Sequence, residues 1–264
     1  MGVFGIIENV YQHFRKEERP FIDALSDWIH EVENQYTPYL TVFLDPRQMY
    51  IAESLVGKGD LKLHMFGGYE AAERKRVFIC PDYYVPTQDD FTIEICEIRY
   101  PSKFAKLSHG KILGTLMSVG IKREYFGDII FDGERWQFFV DSGMKNYIES
   151  QIEKIGNVSV RIEDRSYTEL ITPIDDWTLV HDTVSSLRLD VIVSSLFNIS
   201  RQRAKQLVEA GKVKLNWAEQ LRPDFELGLL DIVSVRGFGR IQIKEIEGKT
   251  KKDKWRILFG ILSK

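Results

Sequence analysis

Arg201 and Lys205 stand four residues apart in the stretch Ser200-Arg201-Gln202-Arg203-Ala204-Lys205, a spacing that sets both cations on one flank of a helix. Gln202 and Gln206 continue that side, while Arg203 falls near its opposite edge. Arg188 precedes this stretch, Lys212 follows it, and Arg236-Gly237-Phe238-Gly239-Arg240 comes later. A guanidinium forks onto phosphate oxygens, an ammonium acts as a point charge, and glycine lets backbone approach a ligand closely. The chemistry on offer is recognition of a sugar–phosphate chain, not bond making. Two like charges at this spacing, with no acid between them, cost an isolated helix about 0.3 kcal/mol, which an anionic partner turns into a gain. The plainer alternative is a solvated basic surface on a small α/β unit.

Catalytic constellations are largely missing. His13, His30, His64, His109 and His181 show no metal-ligand spacing. Gly57 and Gly59 form a lone pair, and no phosphate-loop lysine follows any glycine run. Cys80 and Cys96 lie far apart, which argues against a zinc site or a disulfide framework. No cofactor, no metal and no catalytic residue are therefore expected, and the chain reads as a non-enzyme. Met1 to Val10 lacks a basic n-region, and no run of 18 apolar residues occurs. A cytoplasmic protein with no membrane partner is expected.

An apolar fraction of 44% and an aromatic fraction of 12% are those of a globular chain, and 264 residues allow one to three domains. The net charge of −3 conceals a split. From Ser185 onward 16 Lys and Arg face 9 Asp and Glu, a net of +7, whereas the first 184 residues carry −10. One region seeks polyanions and the other does not.

The elements that must position these residues define an α+β chain in three segments. Residues 1–88 read as mainly helical: Ile7 to Phe14, Phe21 to Val32, and a helix capped by Asp45 with Pro46 at its first position. Short strands are possible at Lys62 to Met65 and Arg76 to Cys80. Residues 89–164 read β-α-β-β-α-β, an RRM-like split βαβ, with a hairpin across Asp132-Gly133 and a last strand at Val158 to Ile162. No aromatic RNP1-type signature lies on its strands, so the fold alone says little about RNA. Residues 165–184 form a linker with an extended piece from Thr178 to Val184. Residues 185–248 hold two helices, the second capped by Ser200 and stopped at Gly211, then strands at Val213 to Asn216 and Asp231 to Arg236. A basic tail, 249–264, closes the chain.

Arg188-Leu189-Asp190, the Ser200 to Lys205 stretch, Gly211-Lys212-Val213-Lys214-Leu215-Asn216 and Asp231-Ile232-Val233-Ser234-Val235 together resemble the S4 (αL) RNA-binding domain. Phe66-Gly67-Gly68-Tyr69-Glu70, Glu73-Arg74-Lys75-Arg76, Gly120-Ile121-Lys122-Arg123-Glu124, Phe126-Gly127-Asp128-Ile129 and the Arg236 to Arg240 run are similar to the YlmH-like proteins of Gram-positive bacteria, encoded within the cell-division gene cluster. The resemblance implies an S4 domain behind a middle RNA-binding domain. It also implies association with rRNA or tRNA on the large ribosomal subunit, at stalled complexes in ribosome-associated quality control. A monomer is expected. Members of that family carry Gly-Asp before the last S4 strand; here Leu230-Asp231 stands there, and Gly228 is placed to take the turn.

Carried over by position, the expected RNA contacts are Arg188, Ser200, Arg201, Gln202, Lys205 and Lys212, then Arg236 and Arg240, with Lys122 and Arg123 in the middle domain. Two other classes remain open. One is an RNA-modifying enzyme, although pseudouridine synthases place this module before a catalytic domain. The other is a scaffold linked to cell division.

Overall fold

The computed structural model of the chain describes residue 14 and residues 18–57, 60–174, 177–229 and 231–263. The expected helix Ile7 to Phe14 lies, apart from Phe14, outside the described residues, as does Leu230. The chain divides into two compact units, Met1–Ile174 and Asp175–Lys264.

The first described helix of the first unit is α1, Arg19–Gln35, which carries Pro20 in its first turn and stops where Tyr36 turns left-handed at φ 54°. It buries Ile22, Leu25 and Val32. Strand β1, Tyr39–Leu44, leads into α2, Pro46–Val56. Asp45 caps α2 in a reciprocal box: its Oδ1 accepts from Gln48 N at 2.9 Å, and Gln48 Oε1 accepts from Asp45 N at 3.0 Å. Strands β2, Leu61–Phe66, and β3, Lys75–Pro81, complete an antiparallel sheet in the order β1-β3-β2. The N-terminal segment is thus helix plus sheet. Its β1 was not expected, because both of its faces are buried and no polar alternation marks it. Leu44 joins Val77, Ile79 and the helices in one core, whereas Phe43 joins Phe78 and Cys80 in another.

The βαββαβ order of the middle segment is present. Strand β4, Ile93–Arg99, is followed by α3, His109–Ser118, β5, Phe126–Phe131, β6, Trp136–Asp141, and α4, Ser142–Gln151. A small hairpin, β7 Lys154–Ile155 with β8 Val158–Ser159, precedes β9, Arg161–Arg165. The last strand therefore lies a few residues later than its apolar run suggested. The sheet order is β5-β6-β4-β9, all antiparallel.

Period-2 alternation splits this sheet between two cores. Cys96, Ile98, Phe138 and Val140 face Ile112, Leu116 and Ile148 of the helices. Ile93, Ile95, Ile130 and Phe139 face Phe43, Phe78 and Cys80 of the N-terminal sheet. The two sheets thus stack face to face with helices on the outer sides. Each buried Phe at their contact contributes roughly 2–3 kcal/mol as an upper figure. The sheet face with which an RRM binds RNA is here covered by protein.

Glycines of the family motifs make this contact possible. A Cβ on Gly68, at φ +98°, would collide with the Phe139 ring, and one on Gly127 would lie 2.8 Å from the Phe43 ring.

The second unit starts with β10, Thr178–Val184, then α5, Leu189–Leu196, and α6, Arg201–Glu209. Strands β11, Val213–Leu215, β12, Ala218–Glu219, β13, Ile232–Val235, β14, Gly239–Lys249, and β15, Trp255–Ser263, follow. They form one antiparallel sheet in the order β10-β15-β14-β13-β11-β12. Two expectations need correction here. Residues 178–184 of the supposed linker pair along their whole length with 255–261. The supposed basic tail supplies β15, which lies between β10 and β14. Ile257 and Phe259 enter the core from this strand, while Lys251, Lys252 and Lys254 sit exposed in the turn that leads to it. The cluster of lysines hid the alternation that follows them.

Candidate nucleic-acid interface

Ser200 starts α6 by accepting a hydrogen bond on Oγ from Arg203 N at 3.1 Å. Ala204, Leu207 and Val208 face the core, leaving Arg201, Gln202, Arg203 and Lys205 exposed. Gly211, at φ +66°, turns the chain out of the helix, and a Cβ there would lie 2.5 Å from Glu219 Oε1. The expected faces of this helix are therefore present, and Ser200 acts first as a cap.

Asp190, in the first turn of α5, is only 4% exposed. It accepts a forked pair of bonds from Arg188, Nε to Oδ1 at 3.0 Å and Nη2 to Oδ2 at 3.2 Å. Arg201 reaches the same carboxylate, Nη2 to Oδ2 at 2.9 Å, with its side chain 60% exposed. Burial alone would raise the Asp190 carboxyl, but hydrogen bonds from Arg188 and Arg201 and their charges hold it below the usual range. The Arg188 guanidinium is held still more firmly protonated by its bond to Asp190. One carboxylate thus orients two cations, Arg188 at the cap of α5 and Arg201 in the first turn of α6. Sequence spacing did not reveal that link.

Lys205 lies 3.6 Å from Glu209, one turn on. Arg201 and Lys205 are therefore not the uncompensated like-charge pair that their spacing suggested; each has its own acid. Lys212 is exposed, and its carbonyl accepts from Arg236 N at 2.9 Å, which sets the backbones of those two residues side by side. Gly237, at φ +92°, carries the turn that presents Arg236.

Arg240 lies over the ring of Trp217, 5.5 Å from its centroid. Trp217 was not singled out in the sequence. It follows Asn216 in a two-residue hairpin between Leu215 and Ala218, and both turn residues have positive φ, 46° and 66°. Asn216 suits such a turn and is anchored there: Nδ2 donates to Asp231 Oδ1 at 2.6 Å, and Oδ1 accepts from Ile232 N at 2.9 Å. A tryptophan does not suit it, and its φ costs on the order of 1–3 kcal/mol. The signal available in the sequence was Asn-Trp where glycine is the usual second residue. Asp231 also bonds back to Gly228, accepting from Gly228 N at 2.8 Å and donating N–H to Gly228 O at 3.2 Å.

Lys122 and Arg123 belong to the first unit. Lys122 is 78% exposed beside Glu124. Arg123 is half-buried, and its Nη1 donates to Phe126 O. Burial, then the neighbouring charge of Arg74, lowers its guanidinium to about 10. It sits beside a buried joint in which Asp128 accepts from Tyr69 O–H at 2.9 Å, Glu73 N at 2.7 Å and Arg74 N at 3.2 Å. Arg74 in turn donates Nη2 to Phe43 O at 2.6 Å. The motif residues around Gly68, Arg74 and Asp128 thus fasten the two sheets of the first unit, and Arg123 braces that joint instead of offering an open fork.

Among the described residues no group of His, Cys, Asp and Glu is placed to hold a metal ion, and no described helix is long and apolar enough to cross a membrane.

Three family models match the chain: "YlmH, N-terminal" over 17–84, "Putative RNA-binding domain in YlmH" over 86–169, and the S4 domain over 187–233. A relative named ribosome-associated protein quality control protein P2, from Bacillus subtilis (strain 168), is 42% identical over 253 residues, covering 96% of this chain and 98% of its own length. A solved structure described as cell division protein ylmH from Streptococcus pneumoniae is 40% identical with a TM-score of 0.53, covering 61% of this chain and 99% of that one. With its S4 motifs on α5, α6 and β11 and its GGY, ERKR and FGD motifs meeting at one joint, the chain belongs to the YlmH family.

Proposed function

We propose that this chain is a non-catalytic, cytoplasmic RNA-binding protein that acts as a monomer on rRNA or tRNA of the large ribosomal subunit, in ribosome-associated quality control. The observation that carries this reading is the shared carboxylate of Asp190, which holds Arg188 and Arg201 in fixed relation on the S4 domain. Preorganised guanidinium groups lose little freedom when they meet phosphates. Gln202, Lys205 and Lys212, with Arg236 beside it, extend the cationic surface, while Ser200 fixes the helix start. Trp217 beneath Arg240 adds an aromatic face. The name of the Bacillus subtilis relative supports the ribosomal setting. In this reading 1–88 and 89–164 are separate domains of one unit, and 185–248 is the RNA grip.

Co-sedimentation with purified large subunits tests the proposal. Four or five phosphate contacts give a log–log salt slope of about −3 to −4. Binding that shows no salt dependence, or protein that stays at the top of the gradient at low ionic strength, overturns it.

A further inference from the structure

Between Glu97 and Glu124 the chain holds no acidic residue, yet it holds Arg99, Lys103, Lys106, Lys111, Lys122 and Arg123. This stretch lies in the part of the sequence with a net charge of −10. Its centre is the loop from Tyr100 to Leu107 that joins β4 to α3. Both ends are pinned: Tyr100 packs on the helix-side core, and Leu107 is buried in it. Between them Ser102 N donates to Tyr100 O at 2.8 Å, and Phe104 N and Ala105 N donate to Pro101 O at 2.9 and 3.1 Å. The loop is therefore an ordered turn, and at its tip Phe104 is 91% exposed, the most exposed large apolar side chain among the described residues. Lys103 and Lys106 flank it along the loop and Lys111 follows on α3; all three are exposed, with no ion-pair partner among the described residues.

Burying Phe104 would have been favourable, and the turn holds it in water instead. An exposed apolar ring with exposed lysines one residue before and two residues after it on the same turn has the two parts that single-strand recognition uses, a face for a base and cations for the phosphates. We propose that this loop is a second RNA-binding site, on which Phe104 stacks an unpaired base while Lys103 and Lys106 hold the flanking phosphates. The inference rests on the reading of the chain as RNA-binding. It gives the middle domain a surface other than the sheet face, which the N-terminal sheet covers. An anionic lipid surface would match the same charges, but the family model over residues 86–169, described as "Putative RNA-binding domain in YlmH", favours RNA.

The test uses the full chain with a fluorescein-labelled oligouridine and a duplex RNA of equal length, in the wild type and in the Arg201→Ala, Lys205→Ala background. Phe104→Ala is expected to weaken oligouridine binding at least about fivefold in both, with duplex binding and the unfolding midpoint unchanged. Phe104→Trp is expected to keep the affinity and to show indole quenching on RNA addition. Lys103→Gln with Lys106→Gln should flatten the salt slope by about 1.4. Oligouridine affinity of Phe104→Ala equal to the wild type overturns the proposal. So does a Phe104-dependent binding to phosphatidylserine vesicles without any effect on RNA. Failure of the S4 reading is distinguishable, since it shows as unchanged ribosome binding in the Arg201→Ala, Lys205→Ala chain alone.

Discussion

Asp190 of α5, almost sealed from solvent, holds Arg201 of α6 across 2.9 Å. The same carboxylate takes the fork of Arg188. Each guanidinium is partly exposed, so the triad is a surface device with a buried hinge pin.

Replacing that pin separates two accounts of RNA affinity. Asp190→Asn makes the domain more positive, so a purely electrostatic account expects tighter binding. If orientation of the arginines matters, affinity falls severalfold despite the added charge. Loss of the charge-assisted bonds should also cost about 1–2 kcal/mol in urea unfolding. Filter binding and denaturation of the same variant read both effects.

The pH dependence has a definite sign. The folded Asp190 carboxyl lies below its ordinary range, so its contribution is present above the unfolded value near 3.9 and is lost as pH falls through the depressed folded value. Wild-type stability should drop more steeply than that of Asp190→Asn below about pH 4. Parallel acid titrations followed by circular dichroism would reveal the difference; superimposable curves would count against the triad.

The joint of the first unit has its own test. Gly68→Ala places a Cβ into the Phe139 ring at a φ of +98°, and a loss of about 3 kcal/mol or failure to fold is expected. Gly114→Ala, on α3 with open space around its added Cβ, should instead stabilise by about 0.5–1 kcal/mol. Thermal melts of the two variants should move in opposite directions.

Trp217 carries strain for which the core offers no reason, since it is not among the residues packed on the main cluster. Trp217→Gly should leave stability unchanged or raise it by up to about 1 kcal/mol, while RNA affinity falls. A variant that is both less stable and unaltered in RNA binding would show a purely structural tryptophan.

Much of this was legible in the residues. Ala204, Leu207 and Val208 declared the buried stripe of α6, and Asp45 with Pro46 declared the start of α2, because helix period and capping are local. Strand β1 was hidden because Phe43 and Leu44 enter different cores, which removes alternation. Strand β15 was hidden behind Lys251, Lys252 and Lys254. At the site, Arg188, Arg201 and Lys212 were legible as cations on motif positions. That Arg188 and Arg201 share Asp190, and that Arg123 turns inward toward Phe126, are long-range or loop facts that spacing does not carry.

In the proposed function the α6 cations grip ribosomal RNA. Sedimentation of the Arg201→Ala, Lys205→Ala protein with large subunits at low salt tests it most directly. The variant is expected to stay at the top of the gradient while its melting temperature matches the wild type. A folded variant that travels with the subunits as the wild type does would contradict it.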